Sequence, residues 1–403
     1  MIFNLNEFLI AVSFALDFVE MDLLGVVSNH SKRVAYMSLK MAEQLGLSKE
    51  EVFDTVSLAI LHDNGASEKV LHERVKSKDK GSLLTIESTR EHGILGERNI
   101  KNYPFLTSVE NVIRYHHENY DGSGFFGIKG EDIPLISQII KIADMVELNS
   151  NLKENCFDEK KKIIAFVKGH ENTMFSPRII AAFLKAANTP SFWMDLKDDF
   201  INSSLKKYVP SFSKDLPLPE IQNITRVFSR IVDSKSQYTQ VHSSELSVKA
   251  ARMAEYYRKP EDEVYKIMIA ANLHDIGKLA VSNSILDKPD KLDDREFDLI
   301  KQHSYLTRVS LQEIKGFEEI TEWASNHHEK LNGRGYPYGK QAGEIDFNSR
   351  LLACLDIYQA LMEERPYREA MTHNVASEIL RKLVSEGALD ENIVSDILKV
   401  FAR

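Results

Sequence analysis

Cysteine is almost absent: Cys156 and Cys354 are the only two in 403 residues. A disulfide framework is therefore excluded, and the chain reads as one suited to a reducing compartment. Long apolar runs are missing as well. The most apolar N-terminal stretch, Phe8 to Val19, is interrupted by Asp17 and falls short of the roughly 20 residues that cross a bilayer. The N-terminus also lacks the basic, apolar and small-residue layout of a secretory signal. The expected location is cytoplasmic, with no membrane partner. Positive charge is not in excess, since 51 basic against 60 acidic residues give a net charge of -9. That argues against a DNA or RNA polymer as partner. An anionic small substrate must then meet local positive charge, from metal ions or a few arginines. Sustained period-two runs of Val, Ile and Thr are missing too, and Asn64-Gly65, Asp121-Gly122 and Asn332-Gly333 lack the alternating apolar flanks of hairpins. The expected fold class is all-α.

With 43% hydrophobic and 28% charged residues, there is enough apolar material for a sizeable core and no bias towards disorder. The length suggests two globular units. Histidine shows how they arise. Ten of the 13 histidines fall into two sets of five: His30, His62, His92, His116 and His117, then His242, His274, His303, His327 and His328. The shift is 212 residues for the first two pairs and 211 for the rest. Asp63 follows His62 as Asp275 follows His274, and Asp144 maps onto Asp356. Self-similarity of this extent marks a tandem duplication.

Between the copies, Asn188 to Glu220 holds Pro190, Pro210, Pro217 and Pro219 and reads as a connection. The expected division is therefore 1–187 for the first copy, 188–220 for the linker and 221–403 for the second copy. After its first histidine each copy shows an amphipathic pattern: Val34, Met37, Met41 and Leu45, then Val248, Ala251, Met253 and Tyr257. Further helices are expected at Glu51 to Leu61 and Glu261 to Leu273. His72, His170 and His373 have no counterparts and read as surface residues.

Imidazoles and carboxylates are what a divalent metal needs, and five histidines with two aspartates can serve two ions. The aspartate of the His-Asp doublet can bridge both ions through its two oxygens. Two ions about 3.5–4 Å apart clamp the attacking and leaving oxygens of an in-line displacement at phosphorus. This predicts phosphoester hydrolysis. Ligands of nitrogen and oxygen without thiolate favour iron or manganese over structural zinc, and nickel, magnesium or calcium could stand in for them in a crystal.

The second copy contains Leu273-His274-Asp275-Ile276-Gly277-Lys278, Ile285-Leu286-Asp287-Lys288-Pro289, His303, His327-His328-Glu329, Asn332-Gly333-Arg334-Gly335-Tyr336-Pro337, Asp356 and Arg365-Pro366-Tyr367-Arg368. These motifs, spread from His242 to Arg368, resemble the HD-GYP family of the HD-domain metal-dependent phosphohydrolases. The resemblance implies an all-helical domain whose metal centre hydrolyses bacterial cyclic dinucleotides to linear or mononucleotide products. It implies His242, His274, Asp275, His303, His327, His328 and Asp356 as ligands of two divalent ions. It implies Asp275 and Lys278 as catalytic residues, with the lysine stabilising developing negative charge. Arg365 and Arg368 are implied as phosphate contacts, for which a guanidinium fork is suited. Gly335, Tyr336 and Pro337 form the loop after which the family is named. Some members carry a glutamate four residues before the first histidine for a third metal; here it is Tyr238, so two ions are expected. Glu245 stands where the family usually has arginine.

The first copy resembles the family more distantly. It keeps Arg33 and a full set of potential metal ligands, His30, His62, Asp63, His92, His116, His117 and Asp144. Ala66 replaces the lysine, Phe125-Phe126 stands in place of Tyr-Pro, and Lys153 and Cys156 replace the two arginines. A regulatory or structural role is implied. Cyclic di-GMP is the first expected substrate, with 3′,3′-cyclic GMP-AMP as the other candidate. A nucleotidase or other HD-superfamily phosphohydrolase, and a non-catalytic cyclic-dinucleotide receptor, are the alternatives. A homodimer is compatible with each reading.

Overall fold

The structure, a computed structural model, describes residues 1–13, 29–65, 90–152, 156–235, 242–364 and 369–402. The only strands among them, Ile2–Asn4 (β1) and Ser213–Asp215 (β2), pair in one small sheet, and helices make up the rest of the regular structure. The fold is all-α. No helix among the described residues is long and apolar enough to cross a membrane.

Two compact units divide the chain. Leu16–Ser213 carries the first copy, and Met1–Ala15 together with Lys214–Arg403 carries the second. The first fifteen residues thus belong with the second copy. Phe3, Leu5, Phe8, Leu9 and Val12 are fully buried there; Phe3 lies 5.8 Å from Phe317, and Phe8 lies 5.1 Å from Phe228, ring centroid to centroid. The stretch read as a linker also differs. It holds helices at Pro190–Asp195 and Asp198–Tyr208, which bury Phe192, Trp193, Leu196, Ile201 and Leu205. Prolines at the first turn start helices rather than interrupt them.

The two copies repeat one scaffold. In the first, α1 (His30–Gln44) packs on α2 (Lys49–Ile60), α3 (Arg90–Asn99) carries the third histidine, and α4 (Leu135–Leu148) carries Asp144. Their counterparts are α5 (His242–Tyr256), α6 (Glu261–Leu273), α7 (Asp294–Leu311) and, after α8 (Glu318–Ser325), α9 (Phe347–Met362). Reciprocal capping boxes start α2 through Ser48 and Glu51 and α7 through Asp293 and Glu296, which satisfies backbone N–H groups that the first turn leaves unpaired. Val34, Met37 and Met41 form the core face of α1 as expected. On α5 only Met253 of the expected face is buried: Val248 is 65% exposed, Ala251 and Tyr257 are half-buried, and Leu246, Ala250 and Ala254 complete the buried stripe. His242 shares that buried stripe, and turning Val248 inward would turn the histidine away from the centre.

Candidate metal centre

In each copy the His-Asp doublet follows directly on the second helix, α2 or α6. A glycine two positions beyond the aspartate lets that turn press against the helix carrying the third histidine. A Cβ on Gly65 would sit 2.3 Å from the His92 carbonyl oxygen, and one on Gly277 would sit 2.0 Å from that of His303. Only glycine allows this approach.

The second centre gathers all seven expected side chains. His242 Nε2 lies 3.2 Å and His274 Nε2 3.9 Å from Asp356 Oδ1. Asp275 stands between His274 and a histidine pair: its Oδ2 lies 3.1 Å from His274 Nε2, and its Oδ1 lies 3.4 Å from His303 Nε2 and 3.7 Å from His327 Nε2. His328 presents Nδ1 to Asp356 Oδ2 at 3.7 Å. The first centre repeats the plan. Asp144 Oδ1 lies 3.4 Å from His30 Nε2 and 3.8 Å from His62 Nε2, and Asp63 faces His62 with Oδ2 and His92 and His116 with Oδ1. His117 is turned differently from His328, with Nε2 3.0 Å from His92 Nε2.

Backbone carbonyls set which nitrogen faces inward. His62, His116, His274, His303 and His327 each donate Nδ1–H to the carbonyl three residues earlier, at 2.5–2.8 Å. That fixes the tautomer and leaves the Nε2 lone pair directed at the centre. Buried His62 Nε2, Asp63 Oδ1, His274 Nε2 and Asp275 Oδ1 form no hydrogen bond. Such orphaned atoms are costly unless a cation satisfies them. The donor set of imidazole and carboxylate in both copies fits divalent ions.

Protonation favours the same use. Burial works against ionisation of Asp275, yet His274 and Lys278 hold its carboxyl well below the usual range. Burial likewise opposes the charge on Asp356, and His242 and His328 overcome it. Burial lowers His303 to about 3 and His328 to about 4, keeping both imidazoles neutral. His242 moves the other way, because Asp356 and Glu363 outweigh its burial and raise it to about 9.

The named loop lies against this centre. A Cβ on Gly335 would come within 2.3 Å of Lys330 N, so glycine is needed where the loop folds back. Tyr336 N donates to the His328 carbonyl at 3.2 Å, and the Tyr336 ring centroid lies 4.7 Å from that of His328. Burial raises the Tyr336 phenol well above its ordinary value. Pro337 follows in the half-buried turn, and Glu329 closes the loop by accepting from Tyr338 N at 2.7 Å and Lys340 N at 2.9 Å. Glu118 does the same in the first copy, accepting from Phe126 N and Ile128 N at 2.9 Å each. There Phe125, in register with Tyr336, is 38% exposed.

Lys278 donates to Asp275 Oδ2. Arg365, Arg368, Tyr238, Ala66 and Lys153 lie outside the described residues, as does the Cys156 side chain. Two further carboxylates, which the motifs did not disclose, support the first histidine of each copy. His30 Nδ1 donates to Glu147 Oε2 at 2.6 Å, and His242 Nδ1 to Glu363 Oε2 at 2.8 Å. A carboxylate one or two helical turns after Asp144 or Asp356 is the only sequence signal that could have pointed to them.

Duplicated helical units with paired His/Asp clusters define the class. A sequence model of the HD domain family matches residues 21–152 and 226–393, and the chain belongs to that family as a tandem protein whose second copy carries the HD-GYP motifs. Among relatives, a 3′3′-cGAMP-specific phosphodiesterase of Vibrio cholerae is 29% identical over 98% of this chain and 91% of its own length. A cyclic di-GMP phosphodiesterase of Pseudomonas aeruginosa is 31% identical but aligns over 41% of this chain and 40% of its own length. The crystal structure of a cyclic GMP-AMP specific phosphodiesterase of Vibrio cholerae shares the fold, with a TM-score of 0.67, 24% identity, and coverage of 100% of this chain and 98% of that one.

Proposed function

We propose that the chain is a metal-dependent phosphodiesterase of cyclic dinucleotides, with the chemistry in the second unit and a regulatory or structural role for the first. The observation that carries this reading is the Asp275 carboxylate, which directs one oxygen to His274 and the other to His303 and His327. His242, His274 and Asp356 would hold one divalent ion and His303, His327 and His328 another, with Asp275 common to both. When bound, such ions supply a nucleophile at neutral pH and neutralise charge on the phosphoryl oxygens. Iron and manganese suit these donors best. Lys278, held beside Asp275, places a fixed positive charge where negative charge develops. Arg365 and Arg368 hold the phosphates. Tyr336, with its phenol kept protonated, walls the centre beside His328.

The preferred substrate is 3′,3′-cyclic GMP-AMP, ahead of cyclic di-GMP. This reverses the order expected from the motifs, because relatives that align along nearly the whole chain are named for cyclic GMP-AMP. The HD-GYP motifs read alone cannot separate the two, since both substrates present the same phosphodiester to the same ions.

The test is product analysis with purified protein, manganese or ferrous iron, and a panel of cyclic dinucleotides alongside simple nucleotides. Preferential opening of 3′,3′-cyclic GMP-AMP is expected. Release of phosphate from mononucleotides alone would make it a nucleotidase, and tight binding without turnover would make it a receptor.

A further inference from the structure

The two copies support their first histidine with a carboxylate from different turns of the same helix. In the first copy the carboxylate is Glu147, three residues after Asp144 on α4, and Arg33 pairs with it at 2.7 Å. Shifted by 212 residues, Glu147 becomes Gln359 and Arg33 becomes Glu245. An arginine-carboxylate pair has thus been replaced by an amide and an acid. Gln359 cannot offer His242 an anionic acceptor; its amide nitrogen donates instead to Glu245 Oε2 at 2.9 Å and to Glu363 Oε1. Glu363 supplies the missing carboxylate, with its Oε2 2.8 Å from His242 Nδ1. Its counterpart in the first copy is Asn151. The carboxylate has moved by four residues, one helical turn, from the register of 147 and 359 to that of 151 and 363.

That turn matters because of where it places the anchor. Glu147 lies inside α4, whereas Glu363 caps the end of α9 in extended geometry, with ψ at 154°. Arg365 follows two residues later. We propose that Glu363 is a positioning residue: from the end of α9 it orients His242 towards the ion, in place of the carboxylate that the first copy supplies one turn earlier. The inference rests on the metal centre proposed above and not on the choice of substrate.

The experiment uses the full chain carrying His62→Ala and Asp63→Ala, so that only the second centre reports. Manganese affinity is measured by chelator competition, and KM and kcat with 3′,3′-cyclic GMP-AMP. Glu363→Ala should weaken manganese binding about 10–100-fold. Glu363→Gln, of equal size, should show the same direction and guards against a folding defect. Adding Gln359→Glu and Glu245→Arg to Glu363→Asn rebuilds the first copy's arrangement and should restore metal affinity. Unchanged manganese affinity in both single variants would overturn the proposal. If the parent chain bound manganese but opened no cyclic dinucleotide, the functional reading would fail, and the affinity measurements would still decide whether Glu363 supports His242.

Discussion

Lys278 Nζ lies 2.5 Å from Asp275 Oδ2, the carboxylate oxygen that also faces His274. The lysine is one turn away from the aspartate in the short helical turn Ile276–Ala280, so its position follows from local backbone geometry. The charge is placed before any substrate arrives. Lys278→Ala should lower kcat with little effect on KM, because the charge acts mainly on the transition state. Arg365→Ala and Arg368→Ala should instead raise KM, at a cost of about 1.5–3 kcal/mol for each charge-assisted hydrogen bond lost. Steady-state kinetics on the three variants separate the roles, and the opposite pattern would invert them.

The copies differ in what surrounds similar His/Asp clusters. His274→Ala with Asp275→Ala should remove metal from the second centre and abolish hydrolysis. His62→Ala with Asp63→Ala should leave most turnover intact, because Ala66, Lys153 and Cys156 stand where the chemistry needs a lysine and two arginines. Metal analysis and turnover of both double variants provide the check. Equal loss of activity in the two would mean that the first copy also serves catalysis.

Gly277 should tolerate no side chain. Its added Cβ would overlap the His303 carbonyl, and relieving the clash must move either α7 or the doublet. Gly277→Ala should destabilise the second unit by about 1–3 kcal/mol, as overpacking does, and weaken metal binding. Thermal unfolding and chelator competition measure the two effects. A fully stable, metal-competent variant would show that the approach of the two segments is not needed.

The N-terminal segment should stabilise the unit that carries the second centre. Phe8 is fully buried, in ring contact with Phe3, Phe228 and Phe317. Phe8→Ala should cost about 3–5 kcal/mol and shift the unfolding of that unit alone. The two tryptophans report separately, Trp193 from the unit Leu16–Ser213 and Trp323 from the other, so denaturation followed by fluorescence reads which unit has changed.

Glu322 links α7 and α8 to the loop, bonding Arg308, Lys340 and Asn326. Burial opposes its charge, and hydrogen bonds from Lys340, Arg308 and Asn326 overcome this, lowering it from 4.5 to about 2. A depressed carboxyl stabilises the fold above its ordinary value, and that contribution is lost as pH falls through the folded one. The melting-temperature gap between wild type and Glu322→Gln should therefore be constant above about pH 5 and shrink towards pH 2. A gap independent of pH would show that the charge of Glu322 contributes nothing.

Histidine spacing disclosed the duplication and the side chains that gather in each copy, because a repeat doubles the signal. The all-α class was equally legible from helical periodicity and the absence of alternating runs. What the pattern could not say was which partner each apolar face meets. Phe3 and Phe8 ask only to be buried, and the tertiary structure decided that Phe228 and Phe317, more than 200 residues away in the chain, bury them. The prolines at 190, 217 and 219 looked like linker residues, yet each lies in the first turn or at the cap of a helix. Val248 on α5 lost its expected place inside because His242 had to face the centre. Glu363 stayed hidden for a related reason. A carboxylate that supports a histidine must lie within hydrogen-bond reach in space, and either of two successive helical turns can provide it, so only the folded positions of His242, Gln359 and Glu363 show which turn was used.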